Sequence, residues 1–169
     1  MQNEIITIKV AVDAIVFGYS KYDGVSLLLI QRKYSPLKSA WALPGGFVLP
    51  EESLEVAVKR ELVEETGIIV NYLEQLYTFG EPNRDPRERV VSVCYFGLVK
   101  TSLYQELKAS TDAENAQWFS IKKLPTLAFD HKQMIQVAIE RLRTKVRYQP
   151  IGFELLDKKF PFSDLEKLY

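Results

Sequence analysis

Three carboxylates, Glu61, Glu64 and Glu65, lie within one predicted helix near the middle of the chain. The first half of one stripe of that helix is apolar and contains Leu54 and Val58. Glu61 and Glu65 follow on the same stripe, which puts their charge on the face expected to pack against the protein. Each close pair of like charges on a helix costs about 0.2–0.5 kcal/mol, and negative charge is disfavoured near a helix C-terminus. A divalent cation would remove this conflict, because clustered carboxylate oxygens are ligands that Mg²⁺ and Mn²⁺ prefer.

The same three carboxylates have an alternative interpretation as a solvated acidic face. Lys59 and Arg60, on the same helix, would then be their charge partners. The spacing of the acidic residues alone leaves both interpretations open.

The helix that carries the carboxylates is predicted over residues 53–66. Ser53 is a suitable N-cap, and Glu55 places negative charge at the positive end of the helix. Gly67 follows at the position where a left-handed C-terminal cap is expected.

The remaining pattern indicates a sheet on which this helix packs. Apolar runs at 6–17 and 25–30 flank turn residues that include Gly24, so they are predicted to form a hairpin. A capping box of Asp130 and Gln133 is predicted to open a second helix. Further strands are predicted at 41–43, where Pro44, Gly45 and Gly46 end the strand, and at 68–79, 89–99 and 116–121, with a polar loop over 80–88. The fold class is therefore α+β, with a mixed, curved sheet and two principal helices packed against it.

Composition restricts the classes of function that the chain supports. Its 169 residues suit one domain, and 47% hydrophobic with 26% charged residues is typical of a globular protein in water. Lys and Arg total 22, as do Asp and Glu, so no net charge attracts DNA or an anionic membrane. No apolar run approaches the roughly 20 residues of a membrane span, and no membrane association is expected. The single cysteine, Cys94, lies in an apolar run, which favours a reducing compartment and a cytoplasmic location.

The loop and helix around the carboxylates resemble the signature of the Nudix hydrolase family at every specified position. The matching residues are Gly46, Glu52, Arg60, Glu61, Leu62, Glu64, Glu65, Gly67 and Ile68. The resemblance implies an αβα sandwich in which the signature forms a loop–helix–loop. It also implies an enzyme that uses Mg²⁺ or Mn²⁺ to hydrolyse a nucleoside diphosphate linked to another moiety.

The resemblance further implies a role for each signature residue. The metal ligands would be Glu61, Glu64, Glu65 and the backbone carbonyl of Gly45. Arg60 and Glu52 would orient these carboxylates through a hydrogen-bonded ion pair. The general base would be Glu61 or Glu65, or an acid on a loop outside the signature, for which Asp112 and Glu114 are the candidates. The sequence does not choose among these four.

Substrate recognition is predicted for the arginine-rich polar loop. The guanidinium groups of Arg84 and Arg87 match the geometry of phosphate, the alternative being a solvated connection. The stretch 78–95 looks similar to the corresponding region of ADP-ribose pyrophosphatases and their regulatory relatives. An adenine ring would need an aromatic platform, and the candidates are Trp41, Phe47, Tyr77 and Phe79. The predicted substrate-binding residues are Gly46, Phe47, Arg84, Arg87 and Asp112.

Beyond the signature, the chain resembles the Nudix-related transcriptional regulators. Residues 127–131, which end at the only histidine, His131, and residues 148–156 carry this resemblance. In that branch a Nudix domain senses ADP-ribose or another sugar-type ligand and a C-terminal winged helix binds DNA. A Nudix domain over 1–147 and a C-terminal extension over 148–169 are therefore expected, with DNA bound only through a segment missing from this chain. The same analogy implies a homodimer.

Two functions follow from these resemblances. The first is metal-dependent hydrolysis of ADP-ribose or a similar nucleotide sugar to a nucleoside monophosphate and a sugar phosphate. The second is ligand sensing with little or no hydrolysis. The signature departs nowhere from the catalytic pattern, so loss of hydrolysis is not indicated.

Overall fold

A computed structural model of the protein describes residues 6–20, 22, 24–104, 107 and 113–149. Within these residues the chain forms seven strands, two α-helices and one short 3-10 helix. The elements are β1 (Lys9–Ser20), β2 (Gly24–Arg32), β3 (Trp41–Ala42), β4 (Gly45–Phe47), α1 (Leu54–Thr66), β5 (Leu73–Phe79), β6 (Val90–Lys100), the 3-10 helix (Thr101–Leu103), β7 (Ala113–Ser120) and α2 (His131–Tyr148).

The strands form one mixed sheet, as the pattern predicts. Its main order is β3-β2-β1-β6-β5, with β4 paired to β1 and β7 paired to β2. The long pairing of β1 with β6 is parallel, whereas the other pairings are antiparallel. Strand β1 is central, and its residues from Ala11 to Tyr19 are buried on both faces. A strand in this position needs a near-continuous apolar run, which β1 has.

Each helix covers one face of the sheet, so the predicted αβα arrangement is confirmed. On one face, Ala57, Val58 and Leu62 of α1 join a core cluster with alternate β1 residues such as Val12 and Val16. On the other face, residues of α2 join a second cluster with the intervening β1 residues. That second cluster includes Ile15, Phe17, Met134, Ile135 and Ala138. The period-2 alternation of a strand thus divides β1 between two cores.

The predicted ends of α1 are confirmed. The Val56 amide donates to the Ser53 hydroxyl over 3.3 Å, which caps the first turn. Gly67 has φ 73°, and its amide donates to the Val63 carbonyl over 3.0 Å. This is the left-handed C-terminal cap that favours glycine. Gly24, in the β1–β2 turn, also has φ 73°, as the hairpin prediction requires.

The segment predicted to end a strand at Pro44, Gly45 and Gly46 instead enters a new strand, β4. Gly45 and Gly46 pair with Asp13 and Val12 of β1. A Cβ at Gly45 would overlap the Val12 carbonyl oxygen, so only glycine allows this close pairing. Two consecutive glycines carry no strand propensity, which is why the sequence pattern indicates a stop.

The predicted strand at 68–79 begins late, at Leu73. Ile68 is buried, but its amide donates to the Thr66 hydroxyl over 3.2 Å rather than to a neighbouring strand. Val70 and the Tyr72 carbonyl lie over Gly97 of β6, where a Cβ would overlap them. Ile68 and Val70 therefore belong to the core without belonging to the sheet.

The other predicted strands are present with shifted boundaries. Strand β1 runs over Lys9–Ser20 rather than 6–17, and β7 over Ala113–Ser120 rather than 116–121. The predicted polar loop at 80–88 contains no strand or helix. Most of the predicted C-terminal extension, residues 150–169, lies outside the described residues.

The capping box predicted for α2 is wrong. The helix begins at His131, and the Asp130 side chain makes no capping hydrogen bond. Both Asp130 carboxylate oxygens instead accept hydrogen bonds from Arg84, at 2.9 and 2.8 Å. A bidentate arginine outcompetes a backbone amide for a carboxylate, because both partners are charged. No helix in the described part of the chain is long and apolar enough to cross a membrane.

We predict that Leu62→Ala lowers the free energy of unfolding by about 2–5 kcal/mol, because Leu62 is fully buried between α1 and the sheet and its loss leaves a cavity. Urea titration followed by circular dichroism measures the change. Val63→Ala is the matched control, since Val63 is the next residue of α1 and is 47% exposed. It should change the same quantity by no more than about 0.5 kcal/mol. Equal losses in the two variants would contradict the assigned packing of α1.

Candidate active site

The glycines of β4 bring the backbone against the acidic half of α1. The Gly45 amide donates to Glu65 Oε2 over 2.9 Å. A Cβ at Gly46 would overlap the carboxylate of Glu61, so the absence of a side chain is what lets that carboxylate lie against the strand. Glu65 is 4% exposed, although an acidic residue is almost never buried without partners. Loop, strand and helix thus converge on the predicted carboxylates.

Arg60 binds the backbone and three carboxylates at once. It makes two hydrogen bonds to Glu52, at 2.9 and 2.5 Å, and one to the Phe47 carbonyl at 3.2 Å. Its Nη1 reaches Glu61 at 2.8 Å and Glu64 at 3.2 Å. The Arg60 side chain is only 24% exposed. A freely solvated acidic face is therefore not what α1 presents, since Arg60 ties it to β4 and to the loop before α1.

The Arg60–Glu52 ion pair shifts the pKa of both of its members. Hydrogen bonds from Arg60 and from the Leu49 amide lower the pKa of Glu52 from 4.5 to about 2. The same hydrogen bond raises the pKa of Arg60 above its ordinary value, against the opposing effect of burial. Both groups are therefore charged at every pH near neutrality. A permanently charged clamp of this kind orients the neighbouring carboxylates without itself titrating.

The three predicted metal ligands differ in exposure. The Glu65 carboxylate is buried, the Glu61 side chain is 13% exposed and that of Glu64 is 47% exposed. Among the described residues, no three acidic, histidine or cysteine side chains are already grouped as a metal site. Mg²⁺ is usually held by one or two carboxylates, with water and substrate phosphate as the other ligands. An incomplete set of hard oxygen donors beside a glycine backbone fits such an ion.

Arg84 is neither solvated nor turned outward, although it lies in the polar loop. Its side chain is 5% exposed and holds Asp130 in a bidentate ion pair at the start of α2. Its Nη2 also lies 3.8 Å from Asp13 Oδ2. Arg84 thus joins the loop to α2 and β1, which makes its substitution a structural change before it is a test of binding.

Arg87 has the exposure expected of a phosphate-binding group. Its side chain is 41% exposed and pairs with Asp85, whose pKa this hydrogen-bonded pairing lowers. Its guanidinium carbon lies 5.8 Å from the Phe47 ring and 6.0 Å from the Phe129 ring. The predicted residues Arg87 and Phe47 are therefore neighbours.

Arg32, at the end of β2, belongs to the same group and is absent from the sequence-based predictions. Its guanidinium carbon lies 4.8 Å from the Phe129 ring, and its Nε donates to the Pro36 carbonyl over 3.1 Å. Burial lowers the pKa of Arg32, the positive charge of Arg87 lowers it further, and Glu65 opposes the change. In the sequence, the sign of this role is an arginine at the end of an apolar strand, and that pattern is not specific for a binding site.

The other predicted aromatic and acidic residues do not all lie at this site. Phe79 is 6% exposed and belongs to the core, and Trp41 packs edge-on against Phe119 at 4.7 Å. Tyr77 is exposed on β5. Of the four predicted aromatic platforms, Phe47 is the one found beside the arginines. The two acids outside the signature also differ: Glu114 is exposed within β7 rather than on a loop, and Asp112 lies outside the described residues.

An αβα sandwich with a glycine strand against an acidic, arginine-clamped helix defines a Nudix domain. The family model for the NUDIX domain matches residues 7–138, and the chain belongs to this family. Nudix hydrolases generally need a divalent metal ion.

Two relatives with different names align with most of the chain. An ADPR responsive transcriptional repressor, NtrR, of Acinetobacter baylyi is 38% identical over 162 residues, which cover 94% of this chain and 64% of the repressor. An ADP-ribose pyrophosphatase of Methanocaldococcus jannaschii is 43% identical over 127 residues, covering 75% of this chain and 70% of that enzyme. The chain thus spans less than two thirds of the repressor's length.

A solved structure adds a ligand to this comparison. The NUDIX domain of Shewanella oneidensis NrtR, complexed with ADP ribose, is 38% identical and superposes with a TM-score of 0.73. The match covers 82% of this chain and 90% of that domain. The fold is therefore shared with a domain that binds ADP ribose.

We predict that the stability advantage of the wild type over Glu52→Gln depends on pH. The Glu52 carboxyl titrates near 4.5 when unfolded and near 2 when folded. The stabilisation from the ionised Glu52 carboxyl is therefore complete above about pH 4.5. It is lost as pH falls from there to about 2, because the unfolded chain binds a proton on Glu52 at a higher pH than the folded protein does. Urea midpoints measured at intervals from pH 7 to pH 2.5 test this.

The control for this experiment is Glu51→Gln, which changes the exposed neighbour of Glu52. Its difference from the wild type should show no comparable loss over the same pH range. A Glu52→Gln difference that stays constant down to pH 2.5 would show that the Arg60 pairing does not lower the pKa of Glu52.

Proposed function

We propose that this protein hydrolyses the pyrophosphate of ADP-ribose or a similar nucleotide sugar, releasing a nucleoside monophosphate and a sugar phosphate. The divalent ion, Mg²⁺ or Mn²⁺, would be held by Glu61, Glu64, Glu65 and the Gly45 carbonyl. The observation that carries the proposal is the contact of β4 with α1, in which Gly45 binds Glu65 and Gly46 leaves room for Glu61. The names of the repressor and the pyrophosphatase supply the substrate class.

The glutamates of α1 and Arg60 have different roles in the site. When bound, a divalent ion neutralises phosphate oxygens and lowers the pKa of a coordinated water. Glu61 and Glu65 supply the buried oxygens, whereas the exposed Glu64 lies on the solvent side. Arg60, fixed by Glu52, keeps Glu61 turned towards β4. This arrangement sets the charge of the site before substrate enters.

The general base remains a choice among acidic residues. Glu61 and Glu65 lie at the glycine strand, and a water held by a metal ion there would be within their reach. Asp112 and Glu114 are the alternatives outside the signature. Turnover of the corresponding glutamine and asparagine variants, measured across pH, distinguishes them, since loss of the base removes one limb of the pH profile.

A cationic and aromatic patch, composed of Arg32, Arg87, Phe47 and Phe129, supports recognition of the substrate's phosphate and base. The two guanidinium groups lie against the same Phe129 ring, at 4.8 and 6.0 Å. Two guanidinium groups beside one ring favour the binding of an anion, and the rings offer a stacking surface. Arg84 serves this patch indirectly, by fixing the loop on Asp130.

A sensing role is the second candidate function. The repressor NtrR aligns with 94% of this chain, more than the pyrophosphatase does. In that case the same site binds ADP-ribose with slow or no cleavage. A homodimer is proposed for either function.

A panel of nucleoside diphosphate derivatives, incubated with the protein and Mg²⁺ or Mn²⁺, separates the two functions. Products are identified by mass and binding is measured by calorimetry with and without the metal. Rapid cleavage of ADP-ribose supports the hydrolase, and tight binding without cleavage supports the sensor. Neither cleavage nor binding of any compound would refute both.

We predict that Glu65→Gln lowers metal-dependent turnover by at least about 100-fold, because the amide cannot replace a charged ligand or base. The folded structure should persist, since the amide oxygen still accepts the Gly45 hydrogen bond. Steady-state rates and a thermal melt measure the two effects. Glu55→Gln, in the exposed first turn of the same helix, is the control and should leave turnover unchanged. Unchanged turnover in Glu65→Gln would contradict the role of Glu65.

We predict that Arg87→Ala raises KM for ADP-ribose by about tenfold, because it removes a half-exposed cation from the patch. The change in kcat should be smaller, because Arg87 would contact the bound substrate and its transition state equally. Arg89→Ala is the matched control, as Arg89 has the same charge and donates to the backbone carbonyls of Glu81 and Val90. If both variants change KM equally, the loop acts by its total charge and not through Arg87.

A further inference from the structure

A buried polar cluster of three side chains lies directly beside Gly45. Asp13 pairs with Gly45 in the β1–β4 register, and its Oδ1 would touch a Cβ at Gly45. Ser92 donates to Asp13 Oδ2 over 2.5 Å. His131 completes the cluster, with Nε2 3.5 Å from Asp13 Oδ1. Asp13, Ser92 and His131 are 7%, 0% and 4% exposed, so their burial needs a physical reason.

His131 hydrogen-bonds to the loop that leads into the site. Its Nδ1 accepts the Leu43 amide over 2.9 Å. Because Nδ1 is an acceptor, the ring is neutral and its proton is on Nε2, facing Asp13. Burial lowers the pKa of His131, which agrees with a neutral ring. Leu43 is 2% exposed, so water is poorly placed to replace this hydrogen bond.

Three consecutive residues, Leu43 to Gly45, lead from the end of β3 into β4, and each is attached to a different element. The Leu43 amide bonds to His131 of α2, and the Pro44 carbonyl accepts the Ala14 amide of β1 over 2.8 Å. The Gly45 amide bonds to Glu65 of α1. The orientation of the Gly45 peptide therefore depends on α2 as well as on β1 and α1.

The start of α2 is itself held in place. Arg84 grips Asp130, the residue before His131, with two hydrogen bonds. The Ala128 amide donates to the Trp41 carbonyl over 2.8 Å, close to Leu43 in the chain. Among the described residues, every buried side-chain nitrogen and oxygen has a hydrogen-bond partner. The cluster therefore leaves no buried polar side-chain atom unsatisfied.

We propose that His131, oriented by Asp13, is a positioning residue that sets the Gly45 backbone against Glu65 and thereby strengthens divalent-cation binding and turnover. The inference rests on the proposed function, because it concerns the same site. No hydrogen bond joins His131 to the carboxylates of α1 or to the patch arginines among the described residues, although its ring centroid lies 5.5 Å from that of Phe129. It acts through the Leu43 amide and two peptide units.

The decisive comparison is between two uncharged variants of His131. In His131→Asn the amide oxygen lies near the position of Nδ1 and retains an acceptor for Leu43. In His131→Gln the amide reaches the position of Nε2 and leaves the Leu43 amide without its partner. Dissociation constants for Mn²⁺ alone are measured by electron paramagnetic resonance, and kcat and KM for ADP-ribose by product analysis.

His131→Gln should weaken Mn²⁺ binding by about tenfold and lower kcat by a similar factor, the range typical of groups that support metal ligands indirectly. KM should change by less than about threefold, because Arg32 and Arg87 keep their hydrogen bonds to Pro36 and Asp85. His131→Asn should restore Mn²⁺ affinity to within about threefold of the wild type. If the Gln variant does not fold, His131→Phe carries the same test, since it also lacks an acceptor.

Met134→Ala separates positioning from general destabilisation. Met134 is fully buried on α2 in the apolar cluster, and its truncation should lower the melting temperature without changing Mn²⁺ affinity more than about twofold. Equal loss of Mn²⁺ affinity in Met134→Ala and His131→Gln at similar melting temperatures would overturn the inference. So would wild-type affinity in His131→Gln. If the wild type binds no Mn²⁺ and cleaves no nucleotide, the proposed function itself fails.

Discussion

The contact between a side-chain-free backbone and a buried carboxylate is the constraint on which this site depends. Gly45 hydrogen-bonds to Glu65, and Gly46 leaves the space that the Glu61 carboxylate occupies. A side chain at either glycine would separate β4 from β1 or from α1. The acidic half of α1 is therefore held against the sheet although its charge alone would favour solvent.

Two arginines, the partly buried Arg60 and the buried Arg84, hold the elements around the site together. Arg60 binds Glu52 and ties α1 to the loop before it, while Arg84 binds Asp130 and ties the polar loop to α2. Buried ion pairs contribute little net stability, yet removing one partner is costly. Their effect is therefore positional: they fix where the carboxylates and the cationic patch lie relative to the sheet.

Much of the signature helix was predictable because its determinants are local. The N-cap at Ser53, the left-handed glycine at 67 and the half-apolar, half-acidic stripe all depend on residues within a few turns. Strand β4 and the Arg84–Asp130 pair were not predictable, because each joins segments distant in sequence. The Asp130 capping box failed for that reason: a distant arginine competes successfully for the carboxylate that the local pattern reserves for capping.

By itself, the sequence determined the helix, its caps, the clustered glutamates and the family signature, since these are written in the spacing of neighbouring residues. Only the tertiary structure decided which charged groups meet. It buried Arg84, left Arg87 half exposed and brought Arg32 to the Phe129 ring that Arg87 also approaches. It also attached His131 to the loop that precedes Gly45. The physical reason is that ion pairing and burial depend on which strands and helices pack together, and that packing joins residues as far apart as Leu43 and His131.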